Sequence, residues 1–369
     1  MTNVLTKIAS SSKGLFQRHH NKKQKQKHIE YPNYDEMESN IETTAPTSGL
    51  ESAATNSGRH QHIGEQQIFY NRLQRWRYAF REPLAEFFGV LIMIMYGDGV
   101  VAQVVLSSGE KGNYTMIAFS WATAVFLGYA VSAGVSGAHL NWGVTLSAAV
   151  YRKFPWRKVP GYLFAQFLGG YCGALIMYGV YYQAFNDFEG GSQRTVTGPT
   201  ATAGVFCTFP QPFLSTQGQV TSELVTSALL QIGIFSMTDP HNAPLGNAFP
   251  FGLFVLIYGL GSSYGYLTGY AINLARDFGP RLAAATVGYP SELFTAYSHY
   301  FWVPVVIPII GCLTGGFFYD LFIYQGLDSP LNQKDLGINE RLESIRNFEL
   351  HHMKPDFDVE RAEIHKQNP

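Results

Sequence analysis

The chain has 369 residues, with 26 Lys and Arg against 27 Asp and Glu, and a formal net charge of −1. Such a balance leaves no electrostatic footprint for nucleic acid. The three cysteines, Cys172, Cys207 and Cys312, have neither metal-ligand spacing nor the even clustering of a disulfide framework. Residues 1–78 are polar; residues 1–28 are rich in Ser and Lys without an acid, and carry NKKQKQKH at 21–28. That composition fits a weak transit peptide or, the reading preferred, a disordered cytoplasmic tail whose basic run touches anionic lipid.

Residues 79–326 differ in kind. Apolar segments near 80–106, 115–135, 159–185, 220–238, 246–267 and 299–325 have the length of membrane-spanning helices, about 20 residues. Shorter apolar pieces at 142–151 and 274–286 follow the second and fifth segments. They are too short to span, so they read as re-entrant half-helices lining a cavity. Gly89, Gly128, Gly169, Gly170, Gly173, Gly315 and Gly316 read as close helix crossings. Residues 327–369 are polar again and read as a cytoplasmic C-terminal tail. The expected fold is an all-α membrane protein of six transmembrane helices plus two re-entrant half-helices.

The two halves repeat. Glu86 opens the first span in LAEFFGV, and Glu223 opens the fourth in TSELVTS. VSGAHLN ends at Asn141 and LTGYAIN at Asn273, each after a hydroxyl residue and a glycine. Three spans per half turn the second half upside down, which is an inverted repeat with its site at the midplane. Arg72, Arg75, Arg77 and Arg81 precede the first span, and Arg152, Lys153, Arg157 and Lys158 separate the second from the third. These residues put both termini in the cytoplasm. Asn113-Tyr114-Thr115 then lies outside and fits a glycosylation acceptor, although its closeness to the membrane argues against use.

An asparagine at a helix N-cap accepts a backbone N–H and keeps its NH₂ for donation. Two half-helices meeting at their N-termini would aim two positive dipole ends at the pore centre. Arg276 follows Asn273 by one helical turn, and a charge within a membrane segment marks function. Glu86 and Glu223 read either as braces for the half-helix loops or as proton-relay groups. His139 reads either as a pore-lining hydrogen-bonding group or as a pH sensor. No phosphate loop, nucleophile elbow or metal cluster is visible, so neither an enzyme nor a cofactor is expected.

Carried by VSGAHLN, GYAINLARDFGPR and the six-span repeat, residues 80–326 resemble an aquaporin of the aquaglyceroporin (glycerol facilitator) branch. The tail lengths resemble those of fungal members. The resemblance implies a passive channel for glycerol, other small neutral solutes and water, in a homotetramer with one pore per protomer, in the plasma membrane. It implies a selectivity filter of Trp121, Gly261, Tyr270 and Arg276, and bracing roles for Glu86 and Glu223. Asp277, Arg281 and Pro304-Val305 match positions that separate glycerol facilitators from strict water channels. Asp277 and Arg281 also suit an ion pair one turn apart. The chain departs from the family where Pro-Ala would follow Asn141. Trp142 and Gly143 stand there, and Leu274 replaces the proline after Asn273. Trp142 is expected to pack behind the pore wall and to modulate conduction. Two other readings stay open at this stage. One is a non-conducting member plugged by Trp142; the other is a proton-coupled transporter using Glu86, Glu223 or Asp98. Asp98 departs from the family pattern without an account from sequence.

Overall fold

Six helices of the described residues are long and apolar enough to cross a membrane, and a helix meets most of its backbone hydrogen bonds within itself, as lipid demands. The structure, a computed structural model, describes residues 71–339 together with 342, 343 and 346, all within the unit His62–Pro369. Expectations that fall on residues 1–70, the basic run included, and on most of the segment beyond 339 lie outside the described residues.

The elements in chain order are α1 (Arg72–Ala79), α2 (Arg81–Leu106), α3 (Tyr114–Ser136), α4 (Trp142–Tyr151), α5 (Val159–Glu189), α6 (Thr216–Thr238), α7 (Phe249–Thr268), α8 (Leu274–Thr286), α9 (Glu292–His299) and α10 (Trp302–Phe322). The half-helices α4 and α8 have the bounds expected from sequence. Asparagine caps start them, and the spans that precede them end at Gly137 and Gly269 in the left-handed conformation, where a missing Cβ removes the steric cost.

The two proposed tail boundaries fall inside ordered structure. Residue 78 lies within α1, whose sequence RLQRWRYA buries no residue, so apolar patterning gave no sign of it. Its local signal is Asn71, whose Oδ1 accepts the Gln74 N–H at 2.7 Å. Beyond residue 326 the chain stays against the body. Asn332 donates to the carbonyls of Tyr324 and Gly326 at 3.0 Å, and Leu331 packs on Tyr151, Phe235, Tyr319 and Tyr324.

The packing repeats with the sequence. α2 lies against α3 and α5, and α6 against α7 and α10. Glycines set the closest crossings: a Cβ on Gly128 would stand 2.7 Å from the Gly89 carbonyl, and one on Gly173 2.8 Å from the Leu91 carbonyl. The segments entering the half-helices share one backbone pattern. Ala138 and Leu140 (φ 52° each) correspond to Tyr270 and Ile272 (φ 40° and 44°). Such conformations cost about 1–3 kcal/mol each and persist only where surrounding contacts fix them.

Candidate pore and selectivity constriction

Two buried glutamates fix those strained loops. Glu86 accepts the N–H groups of His139 and Leu140 at 2.9 and 2.8 Å, the Ser136 hydroxyl at 2.6 Å and the Gln166 amide at 2.8 Å. Glu223 accepts the N–H groups of Ala271 and Ile272 at 3.0 and 2.9 Å. Both side chains are fully buried. Charge-assisted bonds to backbone N–H groups are about twice as strong as neutral ones, which offsets the positive φ angles.

The loops so held bring the two asparagines together. Each Oδ1 accepts the second N–H of its own half-helix, Asn141 from Gly143 at 2.8 Å and Asn273 from Ala275 at 3.0 Å. Each Nδ2 then crosses the pseudo-twofold axis: Asn141 donates to the Ile272 carbonyl and Asn273 to the Leu140 carbonyl, both at 2.8 Å. An amide NH₂ has two hydrogens, so one is committed to the opposite loop and one remains for the lumen. The sequence reading left the whole NH₂ free; the reciprocal bond was not visible there.

Arg276 lies one turn along α8. The Arg276 guanidinium stacks on the Trp121 ring at 4.1 Å, a cation–π contact. Among the described residues its guanidinium makes one hydrogen bond to protein, a long one of 3.5 Å to the Phe206 carbonyl, which leaves most of its donors uncommitted. The Trp121 indole lies over Gly97, where a Cβ would collide with the ring. Tyr270 lies over Gly261: a Cβ there would stand 2.8 Å from the phenol Cζ and hydroxyl. That hydroxyl is buried without a hydrogen-bond partner. Tyr114 closes the arrangement from behind, donating to the Gly261 carbonyl at 3.0 Å. Thus the four residues expected at the filter lie together, and Gly97, Tyr114 and Phe206 support them.

Asp277 and Arg281 pair one turn apart at 2.9 Å, both fully buried. Asp277 also accepts the N–H and hydroxyl of Thr208 at 2.7 and 2.6 Å. Arg281 donates to the carbonyls of Leu293 and Thr208 at 2.7 and 2.8 Å. The pair therefore ties two outer connections to α8 and makes no contact with the lumen. The segment it anchors includes Cys207, whose thiol burial pushes up to about 12; all three cysteines are free.

The remaining sequence candidates have distinct surroundings. His139 lines the cavity, with Nδ1 3.3 Å from the Thr145 hydroxyl and its ring against Phe154 and Tyr162. Asn113 caps α3 by accepting the Met116 N–H at 3.2 Å. Leu274 is the buried first residue of α8. The Trp142 indole N–H donates to the Leu163 carbonyl on α5 at 3.0 Å, and Trp142 is not among the residues lining the cavity. Gly143 makes room for α10 rather than for the indole: a Cβ would stand 2.7 Å from the Cys312 Sγ and 3.0 Å from the Pro308 carbonyl. Trp142→Pro is therefore expected to change permeability only a few-fold, about 1 kcal/mol. Gly143→Ala is expected to cost about 1–3 kcal/mol of stability by overpacking. Flux normalised to reconstituted protein, together with thermal unfolding, checks both; a gain of about 100-fold on removing the indole would show that it had blocked the lumen.

The constriction and the asparagine pair open into one cavity of about 510 Å³. Its lining is largely apolar, including Val144, Leu230, Ile234, Leu253 and Ile257, and also includes Arg152 and Thr238. Gln231 also lines it, fully buried with neither amide atom hydrogen-bonded. A glutamine in an apolar span is the sequence signal for this residue, one that no motif accompanies. Arg152, read only as a topology charge, is held between the rings of Phe235 and Tyr324 at 3.9 and 3.8 Å and pairs with Asp320 at 2.7 Å.

Six spans, two opposed half-helices and a cavity lined by Arg276 and by the paired asparagines define a multi-pass membrane channel. The sequence profile described as MIP, major intrinsic protein, matches residues 72–319. The chain belongs to the major intrinsic protein family, a family of channels rather than enzymes. It is 52% identical over 265 residues to aquaglyceroporin-9 of Botryotinia fuckeliana (strain B05.10), covering 72% of this chain and 58% of that protein. It is 50% identical over 267 residues to probable aquaglyceroporin-2 of Gibberella zeae, covering 72% of this chain and 79% of that protein. The X-ray structure of the aquaglyceroporin from Plasmodium falciparum superposes with a TM-score of 0.59 at 30% identity, covering 66% of this chain and 96% of the other.

Proposed function

We propose that the protein is an aquaglyceroporin, a passive and bidirectional channel for glycerol and other small neutral solutes, with water alongside. The observation that carries this reading is the amphipathic constriction. The Arg276 guanidinium rests on Trp121 with its donors largely free, and Tyr270 takes the space above Gly261. A polyol can lay its carbon chain on the rings and turn its hydroxyls to Arg276. Farther in, Asn141 and Asn273 each offer one N–H to the next oxygen. Two half-helix N-termini place positive potential at the same point, which opposes hydronium. Bracing by Glu86 and Glu223, whose oxygens take backbone N–H groups, accounts for those carboxylates without a proton relay. The aquaglyceroporin names of the fungal relatives support the same substrate class.

The assembly and placement follow from the same reading. The protein is a homotetramer in the plasma membrane, with both termini cytoplasmic. The basic residues before α2 and between α4 and α5 support the orientation. Large apolar side chains on the outer surface, such as Phe164, Val180, Phe251 and Phe322, suit lipid and neighbouring protomers. Stopped-flow light scattering of proteoliposomes, with glycerol and with an impermeant osmolyte, tests the function. Rapid glycerol re-swelling that survives collapse of the proton gradient is expected; its absence in vesicles containing folded protein refutes the reading.

The segments outside 71–339 are not needed for the pore. A chain cut to those residues keeps the Asn71 cap of α1 and the Asn332 contacts. It is expected to insert and to conduct within about twofold of the full chain, roughly 0.4 kcal/mol. Loss of insertion would show that the removed segments contribute to the fold.

A further inference from the structure

Asp98 is the one feature of the constriction that family resemblance leaves without a role. It sits within α2, fully buried, and among the described residues neither carboxylate oxygen has a hydrogen-bond partner. A buried carboxylate without a partner is costly unless a charge compensates it; failing that, the group takes up a proton instead. Among the described residues the cation that faces it is Arg276, with Nη1 4.0 Å from Oδ1. The other acid nearby is committed, since Asp277 pairs with Arg281 and holds Thr208. With Asp277 and Arg281 already neutralising each other away from the lumen, the charge of Arg276 is balanced only if Asp98 is counted.

The separation defines how Asp98 acts. At 4.0 Å the contact is coulombic and consumes none of the arginine's N–H donors. Arg276 is otherwise held by the Trp121 ring and one long bond to the Phe206 carbonyl. A carboxylate behind the guanidinium retains it against the wall while its donors stay available to the lumen. The neighbouring Gly97 allows Trp121 to lie against the same stretch of α2, so the ring from α3 and the acid from α2 both stand against the guanidinium.

We propose that Asp98 is the counter-charge and positioning residue of the filter arginine, making the constriction electrically neutral so that it selects by size and hydrogen bonding rather than by sign of charge. This deepens the channel reading and rests on Arg276 facing the lumen. Without Asp98 the constriction carries one net positive charge in a poorly screened site. Small inorganic anions should then enter.

The test uses the full-length protein in proteoliposomes, with potassium nitrate influx in the presence of valinomycin as the readout. Nitrate has no neutral form to leak through lipid. Asp98→Asn, which keeps the shape, is expected to raise nitrate flux at least about tenfold over the parent, as one uncompensated charge would at short range. Asp98→Glu, which restores the charge, is expected to bring it back within about threefold of the parent, and so is Asp98→Asn combined with Arg276→Gln. A merely structural Asp98 would not show this sign-dependent rescue. Nitrate flux unchanged in Asp98→Asn, or equally high in Asp98→Glu, overturns the proposal. If Asp98→Asn fails to fold, recovery of folding by the added Arg276→Gln supports the pairing, and failure of both overturns it. Parent glycerol flux is measured in the same vesicles. Its absence would refute the glycerol assignment, while the nitrate comparison still decides the role of Asp98.

Discussion

Gly261→His is expected to lower glycerol permeability by about 100-fold, about 2.7 kcal/mol in barrier height, and water permeability by less than about tenfold. The reason is geometric. A single Cβ at this position already meets the Tyr270 ring and hydroxyl at 2.8 Å. An imidazole must therefore push Tyr270 toward Arg276, across the slot that a carbon chain would use. Water needs less width and can take hydrogen bonds from the new ring. Gly261→Ala provides the graded control, since the ring has only to give way to one methyl, and its glycerol loss should be smaller. Stopped-flow measurements of both solutes on the same vesicles check the order. Equal loss of glycerol and water would mean that the position controls folding or lumen width in general rather than solute choice.

Arg281→Leu is expected to destabilise the protein by about 3–5 kcal/mol, the cost of removing one partner from a buried ion pair. The variant leaves Asp277 charged and buried, and leaves the Leu293 and Thr208 carbonyls without their donor. Both connections tied by the pair lose an anchor. Removing the acid as well, in Asp277→Leu with Arg281→Leu, should recover part of the loss because no charge is stranded. It should not recover all of it, since the Thr208 N–H and hydroxyl lose their acceptor, an unmade buried bond costing about 1–3 kcal/mol. Thermal unfolding in detergent compares the variants. A single variant as stable as the parent would show that the pair contributes nothing to holding the outer connections.

Much of the architecture was legible because its causes are local. A span announces itself by an apolar run of bilayer length, and a half-helix by a run too short to cross. Asn141 and Asn273 mark their own helix starts, since the cap accepts an N–H two residues on. The repeat of glutamate, glycine and asparagine showed that two such loops face one another. Resemblance then named Trp121, Gly261, Tyr270 and Arg276; the fold sets Arg276 on the Trp121 ring and Tyr270 over Gly261. The polar helix α1 escaped because it buries nothing that patterning could detect. The turns after residue 326 escaped because their partners lie back along the chain.

What the sequence determined by itself was therefore the set of elements, their caps and their inverted order, each governed by residues a few positions apart. The tertiary structure alone decided which way the large and charged side chains turn. Trp142 sends its indole to Leu163 on α5, Tyr270 covers Gly261 from the next loop, and Asp98 on α2 stands beside Arg276 on α8. Each of these joins residues from separate elements. In a chain whose backbone bonds are satisfied within each helix, side-chain packing between helices is what brings such partners together. No spacing in one sequence encodes that contact. The physical reason is the same in all three cases: a buried indole N–H, a phenol ring and a carboxylate must each find a partner or space, and only the assembled bundle fixes where these are.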